Sequence, residues 1–172
     1  MHKVVLLIGG NQGNRQSLIE QATELIRERI GSVVALSRVY ETEPWGDFED
    51  QPQAFLNRAL LVDTPLTSLE VLHVALVIEA ALGRLRTPKD LKDLKDFKDP
   101  KDFKVPPRLY HSRPMDIDLI FYDDEVMNTP ELTLPHPRMH LRRFVLEPLA
   151  EIMPEYEHPV LHKTVKQLLN EI

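Results

Sequence analysis

The sequence Arg113-Pro-Met-Asp-Ile-Asp-Leu-Ile-Phe-Tyr122 carries the clearest strand pattern of this chain. In its first half, apolar side chains alternate with two carboxylates, which is the two-residue period of a β-strand with one buried face. The apolar residues would then point into the core, while Asp116 and Asp118 would share the opposite face. An isolated strand is not stable in water, so other parts of the chain must supply the sheet that pairs with it.

The rest of the chain supplies strands and helices in the order β-α-β-β-α-β up to Tyr122. Apolar runs predict strands, and apolar residues at helical spacing predict helices. This order indicates an α/β (α+β) fold of the ferredoxin-like type, with an antiparallel-rich sheet and helices packed on its faces in three layers. The predicted strands are 4–8, 33–40, 55–62 and 117–122, the predicted helices are 18–30, 68–82, 141–152 and 165–172, and 42–53 is a predicted loop.

Length and composition place the chain among globular enzymes or binding proteins. Its 172 residues fit one domain, which we take to be a single catalytic domain spanning 1–172. No run approaches the roughly 20 apolar residues that span a bilayer, and the first residues do not form a signal peptide. Cysteine is absent, and the net charge is −6, which argues against general nucleic-acid binding. We therefore expect a cytoplasmic protein that binds neither membranes nor nucleic acids.

One basic, low-complexity segment interrupts the domain at about 87–107. Lys-Asp pairs recur there every three residues, and this period fits neither a helix nor a strand. Residues 82–114 carry a net charge of +5, which leaves −11 for the rest of the chain. We expect a solvated surface loop, with any functional role carried by the arginines on its flanks.

The two carboxylates of the predicted strand 117–122 and its first flank, Asp116 and Asp118, are the candidate metal site. Residues two apart on a strand lie about 7 Å apart at their Cα atoms and share one face. Two anions at that separation are costly unless a cation lies between them. Oxygen ligands without nearby histidine or cysteine favour Mg²⁺, and a pair of carboxylates can hold two ions. The alternative is that Asp116 and Asp118 are two exposed acids at a strand edge.

Arginines and polar residues elsewhere would complete a phosphate-binding site. Arg84 and Arg86 follow the second helix, and Arg113 and Arg142 lie close to the acids and to His136 in sequence. Guanidinium groups bind phosphate oxygens bidentately, although each arginine alone could be a solvated surface charge. On pattern alone, the simplest interpretation of Glu79 is a solvent-facing helix residue, and His136 is either a phosphate donor or a surface histidine. Trp45 and Asn57 could stack on a planar ligand and hydrogen-bond to its edge.

These blocks together resemble the 6-hydroxymethyl-7,8-dihydropterin pyrophosphokinase family of folate biosynthesis. The most specific is Arg113-Pro-Met-Asp-Ile-Asp, which is similar to the family's Arg-x-x-Asp-x-Asp signature. The others, in the right order, are Tyr40-Glu-Thr-Glu-Pro-Trp-Gly46, Phe55-Leu-Asn57, Glu79 with Gly83-Arg-Leu-Arg86, Leu134-Pro-His136 and Arg142-Arg-Phe144. The resemblance covers the chain from the first strand to about Pro148.

The resemblance implies transfer of pyrophosphate from ATP to the hydroxymethyl group of the dihydropterin, with AMP as the second product. It implies two Mg²⁺ ions bound with ATP by Asp116 and Asp118, phosphate stabilisation by Arg84 and Arg113, and a monomer that acts on small molecules. The implied nucleotide contacts are Glu79, Arg86, Thr133, His136 and Arg142. The implied pterin pocket is Thr42, Pro44, Trp45, Phe55, Asn57 and Phe144.

Some positions depart from the family pattern. The family's Gly-Ser-Asn after the first strand is Gly9-Gly10-Asn11 here, and Glu131 replaces a basic residue found in some members. The aromatic lid position falls nearest Tyr110, with Arg108 close by. Two other functions remain open on the residues alone: a different two-metal enzyme such as a nucleotidyltransferase, which would release pyrophosphate, and a non-catalytic ferredoxin-like binding module.

Overall fold

The computed structural model describes residues 1–11, 13–42, 54–84 and 115–172, and only the backbone of Arg84. The predicted insertion at 87–107 lies outside these residues. The strands are β1 His2–Gly10, β2 Ser32–Leu36, β3 Tyr40–Thr42, β4 Phe55–Thr64, β5 Asp116–Tyr122, β6 Met127–Asn128 and β7 Thr133–Leu134. The helices are α1 Arg15–Arg29, α2 Ser68–Glu79, α3 Arg143–Ile152 and α4 Val165–Asn170.

The main sheet has the order β2-β4-β1-β5, with β3 pairing β4 as a continuation beyond β2. β1 pairs antiparallel with β4 on one side and with β5 on the other. β6 and β7 form a separate two-stranded sheet. This is the strand order of a ferredoxin-like sheet, and the predicted ferredoxin-like α/β fold is confirmed.

The predicted strand from Val33 to Tyr40 is in fact two strands, β2 and β3. The break lies at Ser37, whose hydroxyl accepts the backbone N–H of Ala59 at 3.0 Å and donates to the carbonyl of Arg38 at 2.7 Å. A serine side chain that bonds to the backbone replaces ladder partners and interrupts the regular pairing. The chain can therefore change direction before β3 rejoins β4 opposite Phe55.

Each face of the sheet is covered by helices, which gives three layers. α1 and α2 cover one face, whose core contains Leu6, Ile8 and Ile117. α3 and α4 cover part of the other face, whose core contains Val5 and Leu7. We call the first the core face and the second the site face. Successive residues of β1 alternate between the two, as the pleat of a strand requires.

α2 differs from the amphipathic helix predicted for Ser68 to Leu82. It begins at a capping box in which Thr67 and Glu70 bond to each other's backbone N–H groups, and every residue from Val74 to Glu79 is buried. A helix that is apolar on nearly all sides is an interior helix. After Glu79 the chain winds into a π-helical turn, Ala80–Arg84, a geometry that often occurs beside functional sites.

The two C-terminal helices are shorter than predicted. A 3-10 turn at Met139–Leu141 precedes α3, so the regular helix begins at Arg143. α4 starts at a second capping box, formed by Thr164 and Gln167. Among the described helices, none is long and apolar enough to cross a membrane.

Candidate active site

The carboxylates of Asp116 and Asp118 lie together on the site face, as the alternation in the sequence predicted. Met115, Ile117 and Leu119 are buried, whereas both aspartates are half-buried. Asp118 is opposite Leu7 of β1, and Asp116 is opposite Gly9. The Oδ1 atom of Asp116 is itself buried. The two acids therefore line the sheet surface, where burial disfavours charge unless a cation compensates it.

A row of residues crosses the sheet from these acids to β3. Gly9 is opposite Asp116 on one side and opposite Asn57 of β4 on the other. Asn57 is buried, and its Nδ2 donates to Oγ1 of Thr42 at 3.1 Å. A Cβ atom on Gly9 would lie 2.4 Å from Asn57 Oδ1 and 2.6 Å from the Leu56 carbonyl oxygen. Only glycine leaves room at this position, where the predicted metal ligand Asp116 and the predicted pterin contact Asn57 flank it on one face.

Two aromatic rings of the predicted pterin pocket are associated with the same face. Phe55 is two residues from Asn57 on β4 and is half-buried, so both side chains point to the site face. Phe144, in the first turn of α3, packs against the apolar core of that face. The guanidinium of Arg142 lies 5.6 Å from the centre of the Phe144 ring, within the range of a cation–π contact. A predicted nucleotide contact and a predicted pterin contact thus adjoin one another.

Glu79 is not solvent-facing, so the interpretation from the helix pattern alone is wrong. It is 4% exposed, and its Oε1 accepts the backbone N–H of Ile117 at 2.9 Å. Among the described strands, β5 lies at the edge of the sheet, so its outer backbone groups have no described strand to pair with. The carboxylate supplies that missing acceptor and fixes the backbone between Asp116 and Asp118.

His136 is held next to the same edge strand. Its backbone N–H donates to the carbonyl of Ile120 at 3.0 Å, two residues beyond Asp118. Its Nδ1 accepts the N–H of Arg138 at 3.3 Å, so a neutral ring carries its proton on Nε2. Thr133 lies on β7, three residues earlier, and its hydroxyl is 3.5 Å from Asn128 Oδ1. β7 and the residues directly after it therefore place both predicted nucleotide contacts beside β5.

Several predicted site residues fall outside the part of the chain that the structure describes. These are Pro44, Trp45, Arg86, Arg113 and the side chain of Arg84, together with Arg108 and Tyr110. Their roles remain predictions.

Two features of the site were not predicted from the sequence. Asn11, the residue after β1, is 1% exposed, and neither its Oδ1 nor its Nδ2 has a hydrogen-bond partner. Glu151, at the end of α3, accepts both the Tyr40 hydroxyl and the Arg38 backbone N–H at 2.8 Å. Burial and, to a smaller extent, the hydrogen bond to Glu151 raise the pKa of the Tyr40 hydroxyl. The sequence pattern could have placed Asn11 on the site face, because position 11 continues the series 5, 7 and 9 of that face. No sequence pattern indicates a role for Glu151.

Sheet order and the cross-sheet row together define a ferredoxin-like α/β protein with a carboxylate site on one sheet face. The family model for 7,8-dihydro-6-hydroxymethylpterin-pyrophosphokinase matches residues 5–154. The chain belongs to this family, and the resemblance inferred from the sequence is confirmed.

Relatives of similar length support the assignment. The chain is 38% identical over 157 residues to the 2-amino-4-hydroxy-6-hydroxymethyldihydropteridine pyrophosphokinase of Porphyromonas gingivalis strain ATCC 33277, covering 91% of this chain and 93% of that protein. It is 35% identical to the Bacillus subtilis protein of the same name, covering 88% of this chain and 78% of that protein.

Solved structures support the fold. A Plasmodium falciparum HPPK-DHPS triple mutant in complex with STZ-DHP superposes with a TM-score of 0.68 at 16% sequence identity. The match covers 99% of this chain and 43% of that chain, so this chain spans less than half the length of the Plasmodium protein.

Proposed function

We propose that this protein transfers pyrophosphate from ATP to the hydroxymethyl group of 6-hydroxymethyl-7,8-dihydropterin in folate biosynthesis. The hydroxymethyl oxygen bonds to the β-phosphorus of ATP, and the bond between that phosphorus and the bridging oxygen of the α-phosphate breaks. AMP leaves, the pterin diphosphate forms and the hydroxyl proton passes to solvent. The observation that carries the proposal is the row Asn57–Gly9–Asp116, which puts amide and carboxylate groups on one sheet face in a member of this family.

Asp116 and Asp118 fit the binding of Mg²⁺. Both carboxylates share one face, one of their oxygens is buried and the chain has no cysteine. Among the described residues, no group of three or more His, Asp or Glu side chains could enclose a metal ion. The remaining ligands would thus be waters and ATP phosphates, which is the usual arrangement for Mg²⁺. Two bound ions would neutralise the phosphate charge during transfer.

The polar and aromatic side chains divide between the two substrates. We assign Arg84 and Arg113 to the transferring phosphates, where a permanent charge stabilises the developing negative charge. The nucleotide contacts would be Glu79, Arg86, Thr133, His136 and Arg142. The pterin pocket would consist of Thr42, Pro44, Trp45, Phe55, Asn57 and Phe144. Since Glu79 already holds the Ile117 N–H, its contribution would include fixing the strand that carries both aspartates.

Asn57 and the two phenylalanines would orient the acceptor. The bond from Asn57 Nδ2 to Thr42 fixes the amide plane, so its oxygen keeps one direction. A fixed amide can discriminate the edge of a pterin ring, and Phe55 and Phe144 would stack on its faces. Positioning matters in this reaction because phosphoryl transfer requires alignment and charge neutralisation more than covalent assistance.

The proposal extends to the organisation of the protein. We propose a single catalytic domain over 1–172 that acts as a cytoplasmic monomer on small-molecule substrates, without nucleic-acid or membrane partners. Gel filtration at a defined concentration would test the monomer directly.

Product analysis tests the reaction. The purified protein, ATP, Mg²⁺ and 6-hydroxymethyl-7,8-dihydropterin are incubated together, and the products are separated by anion-exchange chromatography. We expect AMP and the pterin diphosphate in a one-to-one ratio. ADP as the product, or free pyrophosphate in place of a pterin diphosphate, would contradict the proposal.

A further inference from the structure

Asn11 is the most anomalous buried group in the described part of the chain. Its side chain is 1% exposed, and both of its amide atoms lack a hydrogen-bond partner. Most buried polar atoms in folded proteins are paired, and an unpaired one lowers stability. A donor and an acceptor that are both unpaired in the ligand-free protein indicate a site prepared for something that binds.

The position of Asn11 in the sheet indicates which substrate this is. Gly9 pairs with Asn57, and Gly10, the last residue of β1, pairs with Leu56, so Asn11 follows directly where this pairing ends, one residue short of Phe55 at the start of β4. In the opposite direction, β1 leads from Gly9 to Leu7, which is opposite Asp118. Asn11 therefore lies beyond the Gly9–Asn57 pair, towards the start of β4 and away from Asp118.

The chemistry of the side chain matches the same substrate. A primary amide offers N–H donors beside a carbonyl acceptor. The pyrimidinone ring of a pterin presents the complementary pair, a ring carbonyl beside N–H groups. One N–H of Asn57 Nδ2 is bonded to Thr42, whereas neither the amide nitrogen nor the oxygen of Asn11 has a partner.

We infer that the Asn11 amide is a binding residue for the acceptor heterocycle, which hydrogen-bonds to it when the pterin enters. This inference rests on the proposed function. It explains why an unpaired amide is retained where an apolar side chain would be more stable, since binding energy for the acceptor compensates for the loss.

The inference predicts opposite signs for stability and binding. Asn11→Leu replaces the amide with an apolar group of similar size, so the urea midpoint of the ligand-free protein should stay the same or rise. Calorimetric titration of 6-hydroxymethyl-7,8-dihydropterin, with Mg²⁺ and a non-hydrolysable ATP analogue present, should show an acceptor Kd about tenfold higher, or about 1.4 kcal/mol.

Asn14→Ala is the matched control, three residues further along the same turn. The Asn14 side chain has a partner, the Ser17 N–H at 3.2 Å, and caps α1. This variant should show the reverse pattern, with a lower urea midpoint and an unchanged acceptor Kd.

An unchanged acceptor Kd in Asn11→Leu would overturn the inference. A lower urea midpoint would also overturn it, whatever the Kd, because the amide would then have a partner in the ligand-free protein. If Asn11→Leu does not fold, the wild-type complex with pterin and nucleotide analogue decides, since an Asn11 amide beyond hydrogen-bond distance of the pterin refutes the inference. Failure of the wild-type protein to form AMP would instead count against the proposed function.

Discussion

The core face and the site face of the sheet use the same strands in different ways. On the core face, Leu6, Ile8 and Ile117 are apolar and completely buried. On the site face, Val5 and Leu7 are apolar, but the same face also carries Gly9, Asn57 and the two aspartates. The two faces differ although they belong to the same strands, because successive residues of a strand point to opposite sides of the sheet.

This contrast separates the causes of stability from the causes of activity. Burial of apolar area on the core face stabilises the sheet, while half-buried carboxylates and an unpaired amide on the site face lower its stability. Substitutions on the core face should therefore change the free energy of unfolding, and substitutions on the site face should change turnover. Variants paired with matched controls test this separation.

The largest effect is expected for Asp118→Asn. The amide has the size of the carboxylate but no charge for a cation, so turnover at saturating Mg²⁺ should fall at least about a hundredfold. The free energy of unfolding should change far less than turnover does, because the removal of one of two neighbouring anions relieves their repulsion. Steady-state AMP production and urea unfolding measure the two quantities.

The control for this variant is the adjacent residue on the other face. Ile117→Val should lower the free energy of unfolding by about 0.5–1.5 kcal/mol, because it deletes one methylene from a fully buried site. Its turnover should stay close to wild type. If Asp118→Asn keeps its activity, or if Ile117→Val loses as much turnover as Asp118→Asn, the two faces are not separate in function.

Gly9→Ala should have the next largest effect. The new Cβ would overlap Asn57 Oδ1 at 2.4 Å and the Leu56 carbonyl oxygen at 2.6 Å, so β4 must move away from β1. We expect a loss of about 1–3 kcal/mol in stability, as for other overpacked positions, together with a higher KM for the pterin. Unfolding curves and initial rates at varied pterin concentration provide both measurements.

Gly31→Ala is the matched comparison for crowding away from the site. Its Cβ would lie 1.9 Å from the Asp63 carbonyl oxygen, between α1 and β2. This variant should lose stability by the same mechanism while the pterin KM stays unchanged. A raised pterin KM in Gly31→Ala would show that crowding anywhere in the sheet disturbs the pocket, and the particular role of the row would be refuted.

The sequence predicted which face of the sheet each residue of β5 points to better than it predicted the long-range hydrogen bonds that hold the site. Alternation in 115–119 correctly placed Asp116 and Asp118 away from the core, because pleating is a local property of a strand. Glu79 was misjudged because its burial depends on β5 being an edge strand, a property of the whole topology. Likewise, no local pattern connects Glu151 with Tyr40, whose hydrogen bond spans 111 residues along the chain.

Tyr40→Phe should have a smaller effect, since it removes only the hydroxyl that Glu151 accepts at 2.8 Å. One lost hydrogen bond is worth about 1 kcal/mol of stability. Because Tyr40 begins the strand that carries Thr42, the pterin KM should also rise, whereas the ATP KM should not. Rates measured with each substrate varied in turn separate the two constants.

Tyr156→Phe controls for the loss of a tyrosine hydroxyl on the same face. The Tyr156 hydroxyl donates to the Asp123 carbonyl at 2.6 Å, and its ring packs against Phe121 in the apolar part of the face. A similar loss of stability with an unchanged pterin KM is expected. If both variants raise the pterin KM equally, the Tyr40 bond has no special role in placing Thr42.

The smallest effect is expected at His158, in the apolar part of the site face, and it appears only as a dependence of stability on pH. Burial lowers the pKa of His158, and the neighbouring His140 and His162 lower it further. In the unfolded chain, His158 therefore becomes protonated near pH 6.5, an approximate value for free histidine, at which the same side chain is still neutral in the folded protein. Stability should be fully present above that pH and should decrease as the pH falls towards the lower folded pKa.

His158→Asn removes the titrating group and keeps an acceptor for the Val160 and Leu161 N–H groups, so its unfolding free energy should vary less with pH across this window. Parallel curves for the two proteins in urea titrations from pH 7.5 to 5 (roughly the range in which histidine titrates) would show that His158 is not the source of the dependence. Turnover at pH 7.5 should be the same in both, since this end of the site face serves stability and carries none of the proposed substrate contacts.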